Sequence, residues 1–235
     1  PSTAESAPRP LAERVSGRFD WTPDAAALTY AVPLGGADEN GLHLAHVQST
    51  TLCREGDRLK AGATVPHVLA AFPYPPRLRY LGDGRLVFSA VAISLPRAAT
   101  MSDSAERTAL FLARWTANDP DRPRIERIRC EALPADLRDF EPSPDGRRIA
   151  IVESGSDIVA VLDVATAEMR IVQNASGAKT RALPGWRTPD ELYFAAQPAP
   201  GQPAEWRCWT GAAIRVWSVG WPTGLVARLM EPPNR

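Results

Sequence analysis

Apolar residues in this chain fall in short runs separated by Pro, Asp, Gly and Ser, with no long stretch of helical period. The stretch "FEPSPDGRRIAIVESGSDIVAVLDVATAEMRIVQ", residues 140–173, contains three of them: "RRIAIVE", "DIVAVLDV" and "EMRIVQ". The second carries apolar side chains at Ile158, Val159, Val161, Leu162 and Val164, a β-branched content that suits a pleated, half-buried surface. Between the runs, Pro144-Asp145-Gly146 supplies a fixed φ, a side-chain acceptor and a residue tolerant of positive φ, and Gly155-Ser156 serves the next reversal. The pattern predicts three antiparallel strands, and the lead-in "LRDFEPS" adds a fourth to make a meander of about 40 residues.

The same order of lead-in, turn and strands recurs. "FDWTPDAAALTYAV" from Phe19 places an aromatic lead-in before Pro23-Asp24 and a run through Tyr30 and Val32. "LRYLGDGRLVFSAV" from Leu78 has Gly82-Asp83-Gly84 before Leu86, Val87 and Phe88, and "LPGWRTPDELYFAA" from Leu183 has Pro189-Asp190 before Leu192, Tyr193 and Phe194. Later strands are predicted at "GLHLAHVQST", "RTALFLARW", "PRIERIRCEAL", "EWRCWTG" and "AIRVWS". The anchor residues Asp24, Asp83, Asp145 and Asp190 lie roughly 45 to 60 residues apart, the spacing of propeller blades with loop insertions. Pro-Asp and Asp-Gly turns are common in any all-β chain; the ordered set is what marks a repeat. The polar segment "LPRAATMSDSAER" is expected to be an exposed loop between the second and third strands of its unit. "TLCREGDRLKAGATVPHVLAAF" is read as part of a degenerate extra unit, and "VGWPTGLVARLMEPPNR" as a short helical turn and tail.

The expected fold is therefore all-β: a β-propeller of four-stranded antiparallel blades, with about four blades visible. Residues 1–17 read as a linker or mature amino-terminal segment, 18–219 as the propeller and 220–235 as a carboxyl-terminal tail. The stretch from Phe140 resembles the repeat of TolB-like and WD40-like bacterial β-propellers, in which an "SPDG" turn leads into an "IAIV"-type strand and a "DIVAVLDVATAE"-type hairpin. The other copies depart from that motif: the first lacks Gly after Pro23-Asp24, the second has Leu81-Gly82 in place of Ser-Pro, and the fourth has Glu191 where Gly is expected. Rings of that family usually hold six or more blades. A small complete ring, a piece of a larger ring and an incomplete ring finished by another chain all remain open.

Composition changes this picture little. Of 235 residues, 44% are hydrophobic and 23% charged, enough to build a core. Lys plus Arg and Asp plus Glu both total 27, so no overall charge draws the chain to nucleic acid or an anionic membrane. The 23 Pro suit short strands with stiff connections. Cys53, Cys130 and Cys208 form no CxxC pair, and their odd number leaves at least one thiol outside any disulfide within the chain. No apolar run approaches the roughly 20 residues of a spanning helix. The Pro-, Ala- and Ser-rich start is read as a linker or an exported mature end, which favours a periplasmic or extracytoplasmic setting over the cytoplasm.

The search for chemistry returns little. "ESGSDI" around Ser156 lacks the GxSxG order of a nucleophile elbow. His43 and His46 fall on opposite faces of a strand, and His67 stands alone; all three are read as surface or rim residues. "DPDR" at Asp119 to Arg122 supplies too few carboxylates for calcium, "NAS" at Asn174 is a glycosylation triplet of common occurrence, and no cofactor is implied. Trp206, Trp209, Trp217 and Trp221 cluster near the carboxyl end with Arg207 and Arg215 between them. Blade packing accounts for some of these; Trp209, Trp217, Trp221 and Arg215 are the candidate partner-binding residues. The expected function is a non-enzymatic propeller scaffold for protein–protein interaction within a larger extracytoplasmic or membrane-associated assembly. Its alternatives are the propeller portion of a prolyl-oligopeptidase-type peptidase and a small-ligand or carbohydrate-binding module.

Overall fold

The apolar runs fold as strands, and their pairing follows chain order. The computed structural model describes residues 16–72, 77–94, 103–116, 119–134, 137–153, 158–173, 179–180, 184–197, 199, 202, 205–211 and 213–217, and among these there is no helix. A first antiparallel meander is formed by β1 (Ser16–Trp21), β2 (Ala27–Pro33), β3 (His43–Glu55) and β4 (Arg58–Phe72). A second uses β5 (Leu78–Tyr80), β6 (Leu86–Ser94), β7 (Asp103–Thr116) and β8 (Asp119–Arg127). The third is β9 (Leu137–Pro142), β10 (Arg148–Glu153), β11 (Val159–Asp163) and β12 (Met169–Gln173). In the fourth, the short β13 (Lys179–Thr180) joins β14 (Gly185–Thr188), β15 (Glu191–Gln197), β16 (Glu205–Trp209) and β17 (Ile214–Trp217).

Three details depart from the sequence reading. Leu69–Ala71 of β4 pair with Ala92–Ser94 of β6, so the first two meanders are fused into one eight-stranded sheet rather than standing apart. Residues 51–72 are no extra unit: they are the far end of β3 and all of β4, turned at Gly56 with φ of 63°. Residues 103–107, expected in a loop, extend β7, while residues 95–102 lie outside the described set. In each case the chain continues a ladder where polar composition suggested a break, because pairing satisfies the backbone at the sheet edge whatever the side chains are.

Side-chain alternation explains how the sheets stack. On β6, Leu86, Phe88 and Ala90 face one way and pack with Ala31, Val47, Val68 and Phe72 of the first meander and Phe111 of β7. Val87 points oppositely and, with Leu110 and Leu112, meets Phe140, Ile149, Ile151 and Leu162 of the third meander. The same division falls on β10, whose Ala150 joins Val161, Leu192, Phe194 and Trp209 in a third cluster. Each inner sheet is thus apolar on both faces, and each fully buried Phe or Leu contributes roughly 1.5–3 kcal/mol. Phe88 and Phe111 stack with centroids 5.7 Å apart. The strands leading each unit come together in sequence: β1 beside β5, β5 beside β9, and β9 beside β14.

The turns after β1 and β9 share one geometry. In Ser143-Pro144-Asp145-Gly146, the Gly146 amide donates to the Ser143 carbonyl at 2.8 Å, and the Ser143 hydroxyl donates to Asp145 Oδ1 at 2.6 Å. Gly146 has φ of 68°. Thr22-Pro23-Asp24-Ala25 repeats this with an Ala25 amide to Thr22 carbonyl bond of 2.8 Å and a Thr22 hydroxyl to Asp24 bond of 2.6 Å. The Thr22 hydroxyl, followed by the Ala26 amide, holds the Asp24 carboxyl below its usual range. Ala25 sits at φ of 54°, where its Cβ is crowded. Ala25→Gly is therefore expected to stabilise the protein by about 1 kcal/mol, read as a melting temperature raised by roughly 2–4 °C. A fall in stability would show that the turn does not hold this conformation.

Candidate functional site

The ends of β1, β5 and β9 converge with the turns that follow them around an open cleft of about 540 Å³. Its walls carry Asp20 and Trp21 from β1, Arg79 and Tyr80 from β5, Glu141 from β9, and the turn residues Gly82 and Ser143. Alternation places these side chains. Asp20 turns toward β5, where its Oδ2 accepts the Tyr80 amide at 2.8 Å, while Oδ1 accepts the Trp21 amide at 3.0 Å. Arg77, just before β5, and Arg79 on it face Asp139 and Glu141, two apart on β9, in ion pairs of 2.9 and 3.1 Å. From the fourth meander the Trp186 indole donates to the Glu141 carbonyl at 2.8 Å. Of this charged ladder, the Arg79–Glu141 pair lines the cleft. Trp21, 40% exposed, and Phe19, 56% exposed, leave a large apolar surface on β1.

Next to the cleft, behind Tyr80, a chain of polar groups crosses from the first meander to the second. His67 Nε2 lies 2.8 Å from Ser49 Oγ, Ser49 Oγ lies 2.6 Å from Thr29 Oγ1, and Thr29 Oγ1 lies 2.9 Å from Tyr80 Oη. Thr29 and Ser49 are directly opposed across β2 and β3, on the face that holds Ala31 and Val47. His67 arrives through a bulge: Val47 pairs with Val68 and Gln48 with Pro66, so His67 is the extra residue of β4. Such an insertion re-aims a side chain that strict alternation would place elsewhere. The Trp115 ring from β7 packs edge-on to His67 at 5.0 Å and lies 6.2 Å from Tyr80. Burial, outweighing its hydroxyl partners, pushes the Tyr80 phenol above its ordinary range, so it stays protonated at neutral pH.

The residues singled out in the sequence lie elsewhere. Trp209 is 6% exposed, stacked edge-on to Trp186 at 6.1 Å with the Arg148 guanidinium 5.8 Å from its ring, and it belongs to the core between the third and fourth meanders. Arg215 and Trp217 stand in β17, opposite Cys208 and Trp206, with side chains outside the described residues. Trp221 lies outside them altogether, as do Ser156 and Asn174. His67 corrects a second expectation, being 5% exposed rather than on the rim. Cys53 is exposed, Cys130 half-buried and Cys208 buried, and none of the three is in a disulfide.

No family model matches this chain, and neither does any curated protein. Among solved structures, a candidate 6-phosphogluconolactonase from Bacteroides uniformis is similar at 13% identity and a TM-score of 0.44, over 86% of this chain and 70% of that one. The dihydro-heme d1 dehydrogenase NirN, in complex with DHE, is similar at 13% identity and a TM-score of 0.33, over 83% of this chain and 44% of that one. Both are propeller-type folds, and all-β architecture with antiparallel sheets is common ground with this chain. Both are named for enzymes, against the expectation of a non-enzymatic chain.

Proposed function

We propose that this chain is a β-propeller-type recognition module, each meander corresponding to one four-stranded blade, that binds a protein partner at the cleft between β1, β5 and β9. The observation that carries this reading is the exposed Trp21 beside Arg79 at the cleft wall, with Phe19 on the same strand. Trp and Arg dominate binding energetics because they join a large contact area to a directional polar group. Prolines at Pro23, Pro142 and Pro144 stiffen the cleft, which lowers the entropy lost on binding. The TolB-like resemblance of residues 140–173 supports placing the module on the extracytoplasmic side of a bacterial cell.

Selection of displayed peptides against the folded protein tests the reading. A recurring sequence is expected among the binders, with affinity reduced at least tenfold by Trp21→Ala, equivalent to about 1.4 kcal/mol. Binders indifferent to Trp21→Ala, or no recurring sequence at all, would remove the cleft as a partner site. Ile171, exposed on β12 and remote from the cleft, supplies the control as Ile171→Ala.

A further inference from the structure

We infer that Ser49 is an activated nucleophile with His67 as its general base, able to take an acyl group from a small carboxylic ester. This goes beyond partner binding at the cleft and does not depend on it. The two side chains stand at the separation that proton transfer requires, 2.8 Å between Oγ and Nε2. They come from adjacent strands, and His67 reaches Ser49 because the bulge at Pro66–Val68 inserts it into the ladder. Bulges recur beside active sites for that reason.

The remaining hydrogen bonds fit the same direction of proton flow. Among the described residues, no hydrogen bond at the buried Nδ1 fixes the His67 tautomer; in the Nδ1–H form, Nε2 accepts from the Ser49 hydroxyl. Ser49 Oγ is then open to accept from Thr29 at 2.6 Å, and Thr29 Oγ1 from Tyr80 at 2.9 Å. In that arrangement Tyr80 donates to Thr29, Thr29 to Ser49 and Ser49 to His67, a direction that supports negative charge on the Ser49 oxygen as the proton leaves. Tyr80 can anchor the row because its phenol holds its proton. Thr29 and Tyr80 are positioning residues. Ser49 itself is half-buried, whereas Thr29 and His67 are closed off.

The chemistry balances with water alone. Ser49 Oγ bonds to the ester carbonyl carbon while its proton passes to His67 Nε2; the carbon–alkoxy bond breaks, and the leaving alcohol takes that proton. Water then attacks the acyl carbon and gives a proton to His67, and the Ser49 oxygen departs as the hydroxyl, reclaiming it. Ester and water have become acid and alcohol, with the protein unchanged.

A fluorophosphonate probe tests the inference on the wild-type protein, because it phosphonylates activated serines and the site is read by peptide mass spectrometry. Modification at Ser49 is expected, with His67→Gln slowing it at least 100-fold while Thr29→Val slows it about tenfold. Absence of Ser49 modification, or modification confined to other residues, overturns the inference. So does an unchanged rate in His67→Gln. Because the modified residue is identified without any substitution, the result stands even where a variant does not fold. A merely structural hydrogen-bond row predicts no labelling at all.

Discussion

Removing one carboxylate between the second and third meanders, by Asp139→Ala, is expected to cost about 3 kcal/mol, the lower end for breaking a buried pair. The side chain of Asp139 is only 10% exposed and that of Arg77 24%, so water screens their 2.9 Å contact poorly. The variant would take the Asp139 carboxylate away from a guanidinium half-enclosed against β9 and would remove an acceptor of the Phe140 amide at 3.0 Å. For a chain of this size, each kcal/mol lowers the melting temperature by roughly 2–4 °C, so a drop near 6–12 °C is expected in calorimetry. Stranding a charge, more than losing an attraction, sets the cost. The double variant Arg77→Met with Asp139→Leu should therefore recover most of the loss, since an apolar pair of similar size avoids desolvating either ion. If Asp139→Ala alone changes stability by less than 0.5 kcal/mol, a threshold typical of ordinary surface positions, the ladder is not holding β5 to β9.

That ladder shows what in this molecule was legible from sequence. Local signals were: the turns at Asp24, Asp83, Asp145 and Asp190 announce themselves through Pro, Asp and Gly, and each is followed by the strand expected of it. The run Leu86-Val87-Phe88 was legible as a strand, but not that Phe88 and Val87 would face two different cores. Contacts across long separations left no such mark. Ser49 and His67 are 18 residues apart and meet only because of a one-residue bulge, which a polar residue between Pro66 and Val68 does not signal. Thr29 and Tyr80 are 51 apart. A density of tryptophans does not by itself tell an anchor from a core residue. Composition shows that Trp206, Trp209, Trp217 and Trp221 are close in the chain, but only burial separates an anchor from a core residue, and Trp209 is core while the isolated Trp21 is exposed. The cleft and the Thr29–Tyr80 step of the row are products of packing between units, so they appear only once the units are assembled.

The tightest point of that assembly is where the second and third turns touch, and Gly82→Ala is expected to lower stability by about 3 kcal/mol there, the upper end for overpacking. A Cβ on Gly82 would overlap the Pro144 carbonyl oxygen and crowd its carbon at 3.3 Å. From the other side, a Cβ on Gly146 would come within 2.9 Å of both the Gly82 amide and Leu81 Cβ. Neither obstacle is the free end of a side chain, so relief requires the two turns to move apart. The Gly146 position also has φ of 68°, which would add backbone strain to any substitution, whereas Gly82 isolates the steric term. Gly35→Ala is the matched control: nothing lies within 4 Å of its Cβ position, and its denaturation midpoint should stay that of the wild type. Because Gly82 and Pro144 also line the cleft, separating the turns would widen the gap between Trp21 and Glu141. Gly82→Ala should thus weaken peptide binding even at temperatures where the variant remains folded. A Gly82→Ala protein with wild-type denaturation midpoint and wild-type binding would mean that the two turns are not in contact, and the convergence of β1, β5 and β9 would lose its support.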